Sequence, residues 1–214
     1  MRELGNHEGS MKKLTGNLVF DWNTVEPLET PVPKAVSFDD ETLRDGLQSP
    51  SARHPSLDER IRFLELAAAL GVTSADVGLP GAGARAASDT EMLCRAIFEA
   101  GLPVVPNCAA RATEEDIRPI LAIAQRTGRQ VEVALFLASS PIRCHVEGWS
   151  LADLLERTER CVSFAVRGGA PVTFVAEDST RSHPDDLRRV YGAAVRAGAS
   201  RISSPDRFPR RNSG

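Results

Sequence analysis

The chain of 214 residues carries a net charge of -3, and its composition is ordinary, with 42% hydrophobic, 26% charged and 5% aromatic residues. This length allows one sizeable core, and the charge gives no electrostatic case for binding nucleic acid or an anionic membrane. No apolar run approaches the roughly 18 residues of a membrane helix, and the N-terminus lacks the pattern of a secretory signal. The four cysteines show no Cys-x-x-Cys spacing, which predicts reduced thiols in a cytoplasmic protein and argues against a zinc site.

The predicted elements alternate along the chain. Residues 1–33 are polar and end in Pro31-Val32-Pro33, which predicts a mobile leader. Beyond the leader, short apolar runs alternate with longer amphipathic segments, several of which begin at Ser or Thr and end at glycine. In chain order the prediction is strand Ala35–Phe38, helix Ser56–Leu70, strand Val72–Leu79, helix Ser88–Ala100, strand Pro103–Ala109, helix Thr113–Thr127, strand Gln130–Leu137, helix Ser150–Arg167, strand Pro171–Ala176, helix Pro184–Ala197 and strand Ser200–Ser203.

This alternation predicts an α/β fold with a parallel sheet. Units of similar length, with polar residues at strand ends, favour a (β/α)8 barrel of the TIM type over an open doubly wound sheet. A complete barrel takes about 250 residues, whereas this chain has room for about five and a half units. We therefore expect an incomplete barrel over residues 34–203 and a disordered tail over 204–214, as in a product truncated at its C-terminus.

A cluster of charges directly follows the first predicted strand. It reads Asp39-Asp40-Glu41-Thr42-Leu43-Arg44-Asp45-Gly46-Leu47-Gln48. A strand that is buried on both faces cannot hold such charges without partners, so we place them at the carboxyl end of the strand, where α/β enzymes carry their chemistry. Arg44 offers a fork for anions and Asp45 a hard oxygen ligand for a divalent cation. The alternative is an Asp-Gly turn with solvated charges.

Polar residues also occur in or after two other predicted strands. Asp76 lies in strand two, and Glu177, Thr180 and Arg181 follow strand five. Together with Thr-Leu-Arg-Asp-Gly-x-Gln, these segments resemble the DRE-TIM metallolyase family over roughly residues 35 to 203. The family includes 2-isopropylmalate synthases and 3-hydroxy-3-methylglutaryl-CoA lyases. The resemblance implies a barrel that uses a divalent metal to join or cleave carbon bonds beside a carboxylate or thioester.

The resemblance also implies a role for each matching residue. It implies catalytic roles for Arg44, Asp76 and Glu177, metal ligation by Asp45, and substrate binding by Gln48, Arg143, Thr180 and Arg181. The metal would be Mg²⁺ or Mn²⁺, with Zn²⁺ possible. Two simpler interpretations stay open, namely that Asp76 is tied to Arg44 for structural reasons only, and that Glu177 and Asp178 cap a turn.

The sequence departs from the family at three places. Asp76 stands where relatives usually have glutamate, and Arg143 lies near a position where many relatives carry histidine. Relatives take two further metal ligands from a His-x-His motif, and the four histidines here, His7, His54, His145 and His183, show no such spacing.

The function implied is that of an acyltransferase that condenses acetyl-CoA with a 2-oxo acid, of the 2-isopropylmalate synthase type, in leucine biosynthesis. Full-length relatives are expected to be homo-oligomers. The alternatives are a carbon-carbon lyase resembling HMG-CoA lyase, and a non-catalytic remnant of such an enzyme.

Overall fold

The computed structural model describes residues 35–204. The predicted leader, and the predicted tail beyond Ser204, lie outside the described residues. The strands are β1 Asp39–Asp40, β2 Ser74–Asp76, β3 Val105–Arg111, β4 Glu132–Ala138, β5 Val172–Glu177 and β6 Arg201–Ser203. The α-helices are α1 Leu57–Ala69, α2 Ala84–Glu99, α3 Glu114–Thr127, α4 Pro141–Glu147, α5 Leu151–Arg167 and α6 Pro184–Arg196. Single 3-10 turns occupy Gly46–Gln48, Pro80–Ala82 and Ser179–Arg181.

All six strands are parallel, and each pairs with the next strand in the sequence. They form a curled sheet that corresponds to an incomplete TIM barrel, which confirms the predicted fold class. Since every strand runs the same way, the carboxyl ends of all six meet at one edge of the sheet. Within residues 35–204, no helix combines the length and the apolar character needed to cross a bilayer.

Two of the predicted helix starts carry side-chain caps in the structure. The Ser56 hydroxyl accepts a hydrogen bond from the Glu59 amide, and the Glu59 carboxylate accepts one from the Ser56 amide, which makes a capping box at the start of α1. Ser150 and Asp153 form the same arrangement before α5. Such caps satisfy amides that the first helical turn leaves without partners, so they fix where each helix begins.

The first strand was predicted wrongly. Ala35–Phe38 were expected to form it, but the strand comprises Asp39 and Asp40 and pairs with Ser74 and Ala75 of β2. Phe38 is 67% exposed, and only its carbonyl joins the sheet edge, where it accepts from the amides of residues 73 and 74. The apolar run is therefore not buried. The strand forms at Asp39 and Asp40 because these residues pair with the backbone of β2.

Helix α4 was not predicted from the sequence, since no element was assigned between Leu137 and Ser150. Ser140 caps this helix by accepting a hydrogen bond from the Arg143 amide, and Pro141 occupies its first position. Serine followed by proline is a typical helix start. The segment is only seven residues long, too short for its apolar pattern to predict a helix.

The helices cover the outer face of the sheet, and the hydrophobic core lies between the helices and the sheet. Leu135 of β4 and Phe174 of β5 are fully buried there with helical residues such as Ile120 and Val162. Because side chains alternate along a strand, the other face of the sheet points to the inside of the barrel. That inner face is polar in places, and Asn107 and Glu132, directly opposite each other in β3 and β4, are both 3% exposed.

We predict that Gly81→Ala lowers the free energy of unfolding by about 2 kcal/mol. A Cβ at position 81 would lie 2.7 Å from Cγ and 2.9 Å from Cα of Asp116. Asp116 cannot move aside easily, because its buried carboxylate accepts hydrogen bonds from the amide and guanidinium of Arg111. Gly46→Ala is the matched control for urea unfolding, since its Cβ would meet nothing closer than 3.7 Å. Equal losses in the two variants would contradict the prediction.

Candidate active site

The candidate site begins in the turn that follows β1. The carbonyl of Glu41 accepts hydrogen bonds from the amides of Arg44, Asp45 and Gly46, at 3.2, 2.9 and 3.1 Å. The amide and hydroxyl of Thr42 donate to the Asp40 carboxylate, at 2.9 and 3.1 Å. Leu43 is buried in the core. The turn is thus fixed by its own backbone bonds and by one apolar anchor.

Each guanidinium nitrogen of Arg44 donates to a different carboxylate. Nε lies 2.8 Å from Oδ2 of Asp76, Nη1 lies 3.1 Å from Oδ1 of Asp45, and Nη2 lies 2.9 Å from Oε2 of Glu41. Arg44 is therefore in direct contact with Asp45 and Asp76, two other residues predicted from the sequence to belong to the site. The side chains become more exposed from the bottom of the cluster outward, at 1% for Asp76, 20% for Arg44, 49% for Glu41 and 60% for Asp45.

Burial dominates the electrostatics of this cluster. It raises the pKa of Asp76 to about 6, although the Arg44 guanidinium and the Gly78 amide, 3.1 Å from Oδ1, both favour the carboxylate. Burial also raises the pKa of Glu41, again against the attraction of Arg44. Burial opposes the charge of Arg44 as well, but the Asp76 carboxylate outweighs it and the pKa of Arg44 rises. The cluster holds an arginine that is always charged beside a carboxyl that titrates close to neutrality.

The other predicted site residues lie in or directly after β1, β4 and β5, towards the same edge. Gln48 is exposed at the end of the 3-10 turn after β1. Arg143 is in α4, where it forms an ion pair of 2.9 Å with Glu147. Glu177 is the exposed last residue of β5, and Thr180 and Arg181 occupy the next turn, in which Arg181 pairs with Asp178.

The described residues do not build a complete metal site. Among residues 35–204, no group of three or more His, Cys, Asp or Glu side chains is placed to hold a metal ion. Asp45 offers one exposed carboxylate, and that carboxylate already accepts a hydrogen bond from Arg44. A single carboxylate, with water completing the shell, holds Mg²⁺ only weakly.

Two features of the site were missed by the sequence analysis. Glu41 precedes Arg44 by three residues in one turn, a spacing that brings side chains together and could have indicated the pair. Asn107 lies on the inner face and donates to Asp39 (2.8 Å) and Ser74 (3.1 Å), which ties β3 to β1 and β2. No local pattern signals this contact, since Asn107 and Asp39 are 68 residues apart.

A parallel α/β barrel sheet with charged side chains at the carboxyl ends of its strands is typical of barrel enzymes, which place their catalytic groups at that edge. Residues 35–208 match the HMGL-like family model. The chain belongs to this family, the DRE-TIM metallolyases, which confirms the resemblance drawn from its motifs.

Several 2-isopropylmalate synthases are similar to this chain. The enzyme of Nitratidesulfovibrio vulgaris is 33% identical over 168 residues, which cover 78% of this chain and 32% of that enzyme. The enzyme of Parasynechococcus marenigrum is 33% identical over 175 residues, covering 81% of this chain and 32% of the relative. The chain thus spans about a third of the length of these curated relatives.

Among solved structures, the HMG-CoA lyase from Brucella melitensis superposes with a TM-score of 0.60 at 15% sequence identity, over 80% of this chain and 61% of the lyase. At this identity the likeness supports the fold alone.

Proposed function

We propose that this chain carries part of the catalytic site of an acyltransferase that condenses acetyl-CoA with a 2-oxo acid, as its similarity to 2-isopropylmalate synthases suggests. The observation that supports this most strongly is the contact of Arg44 with the buried Asp76 at the carboxyl edge of the sheet. We further propose a cytoplasmic enzyme of leucine biosynthesis that is a homo-oligomer in its full-length form.

The reaction needs a cation where negative charge develops. The methyl group of acetyl-CoA loses a proton, and the resulting carbanion attacks the ketone carbon of the 2-oxo acid, which places the charge on the ketone oxygen. That oxygen takes up a proton, and water then cleaves the thioester to release CoA as the thiol. A guanidinium held in place before the reaction stabilises such an oxyanion without reorganising. We assign this role to Arg44, whose orientation Asp76 fixes through Nε.

The remaining roles are proposals that rest on position in the family motifs. Glu177 is proposed as a second catalytic carboxylate, and Gln48, Arg143, Thr180 and Arg181 as substrate-binding residues. Asp45 is proposed as one ligand of a divalent metal, Mg²⁺ or Mn²⁺, with Zn²⁺ as the alternative. Asp45 alone does not make a metal site among the described residues, so water and substrate oxygens would complete the shell of the metal.

The test is release of CoA thiol from acetyl-CoA with a panel of 2-oxo acids in the presence of Mg²⁺ or Mn²⁺. We expect release that depends on the oxo acid in the wild type and at least a tenfold lower rate in Asp45→Ala. Asp58→Ala, which removes an exposed carboxylate from the first turn of α1, is the matched control and retains the rate. Thiol release no faster than in Asp45→Ala would overturn the proposal, and cleavage of HMG-CoA in its place would indicate the lyase.

A further inference from the structure

Every nitrogen of the Arg44 guanidinium already donates a hydrogen bond to an internal carboxylate. Asp76, Asp45 and Glu41 each take one of its three nitrogens, so carboxylates outnumber the cation that they surround. An incoming carboxylate or enolate competes with these acids, since arginine binds such anions through paired parallel hydrogen bonds and three of its five N–H groups are already donated to carboxylates. The anion binds most favourably where one of the three internal acids gives way and takes its negative charge away from Arg44.

Of the two exposed acids, Asp45 is the more exposed, but as the proposed metal ligand it stays in the site, which leaves Glu41 as the acid that can move away. Asp76 is 1% exposed and is also held by the Gly78 amide, so it cannot move out. The Glu41 side chain is 49% exposed and can turn into solvent. Its departure leaves the turn intact, because the bonds that fix the turn go to the Glu41 carbonyl and not to its carboxylate.

We propose that Glu41 is an internal counter-anion that occupies Nη2 of Arg44 and that a small carboxylate ligand displaces when it binds the guanidinium. Asp76 then keeps the guanidinium oriented through Nε while the ligand takes the place of Glu41. In this arrangement Glu41 lowers the affinity of the site for anions and selects for ligands that can compete with a carboxylate. The inference rests on the proposed function, which makes Arg44 the group that binds the anion.

The experiment compares oxalate binding by calorimetry in the wild type, Glu41→Ala and Glu41→Gln. Removing the competing charge is expected to tighten oxalate binding about tenfold in both variants. Asp40→Asn is the matched control, because Asp40 directly precedes the turn and its carboxylate accepts hydrogen bonds from Thr42. We expect its affinity to stay within about twofold of the wild type, since a nearby solvated charge that does not contact the guanidinium matters little.

A readout without ligand accompanies the binding experiment. Phenylglyoxal modifies arginines whose guanidinium is free, and mass spectrometry of the peptide that contains Arg44 follows its rate. The rate at Arg44 is expected to rise several-fold in Glu41→Ala and to remain unchanged in Asp40→Asn. Thermal melts check that each variant is folded, and if Glu41→Ala is not, the isosteric Glu41→Gln provides both readouts.

The possible outcomes separate this inference from the proposed function. Unchanged oxalate affinity together with unchanged modification of Arg44 overturns the role of Glu41 and leaves the acyltransferase proposal to its own assay. Tighter oxalate binding and faster modification, without thiol release in any variant, support the role of Glu41 and remove the acyltransferase proposal. Failure of oxalate to bind any variant overturns the role of Glu41, because Arg44 then binds no anion even when Glu41 is absent, and thiol release decides the acyltransferase proposal separately.

Discussion

Arg44→Ala is expected to lower the free energy of unfolding by about 2–3 kcal/mol at pH 8. The variant leaves the carboxylate of Asp76, 1% exposed, without its cation, and a buried charge without a partner is costly. The loss is smaller at pH 5, because burial raises the pKa of Asp76 to about 6 and a protonated Asp76 needs no cation. Urea unfolding of the wild type and the variant at both pH values measures the two differences.

Arg62→Ala is the matched control for this experiment. Arg62 pairs with Glu65 at 2.6 Å, but it lies on the surface of α1 with 67% of its side chain exposed. Exposed ion pairs of this kind contribute about 0.5 kcal/mol or less. A loss in Arg44→Ala no larger than in Arg62→Ala would show that Asp76 is not a buried partner of Arg44.

The second large effect concerns the pH dependence of stability, tested with Asp76→Asn. The pKa of Asp76 is raised from 3.8 to about 6 in the folded protein, so the folded state holds the proton more tightly than the unfolded state. The stability that this proton provides is fully present below pH 3.8 and is lost as the pH rises through about 6. The full loss of unfolding free energy amounts to about 3 kcal/mol. Asp76→Asn does not show this loss, because asparagine does not titrate.

The measurement is the difference in unfolding free energy between Asp76→Asn and the wild type, taken at several values from pH 4 to pH 8. We expect this difference to change by about 2.5 kcal/mol in favour of Asp76→Asn over that range, because part of the loss has already occurred at pH 4. Acids with lowered pKa, such as Glu59 and Glu91, give the opposite slope, but they are present in both proteins and cancel. A difference that does not vary with pH would contradict a buried, titrating Asp76.

The alternating pattern of the sequence was enough to predict the barrel and to place part of the candidate site. Caps such as Ser56 and Ser150 fixed helix starts to within one residue, and the parallel arrangement predicted that Arg44 and Asp76 lie at a common edge. These predictions succeeded because they depend on local hydrogen bonding and on the direction of strands, both of which the sequence determines over short distances.

The features that the sequence did not reveal depend on contacts between distant segments. The position of β1 is decided by its pairing with β2, so an apolar run ending at Phe38 was misleading. Asn107 reaches Asp39 across the inner face of the sheet. The occupation of Nη2 by Glu41 depends on rotamers within the turn, and no periodicity predicts which of several neighbouring acids an arginine selects.

Asp76 is buried at the carboxyl edge of the sheet in contact with the Arg44 guanidinium. NMR titration of the Asp76 side-chain carboxyl carbon measures both properties in one experiment. We expect a midpoint at about pH 6 in the wild type and a higher midpoint in Arg44→Ala, where the attraction of the cation is gone. A midpoint near 3.8, unchanged by the substitution, would show an exposed carboxylate remote from Arg44 and would contradict the account.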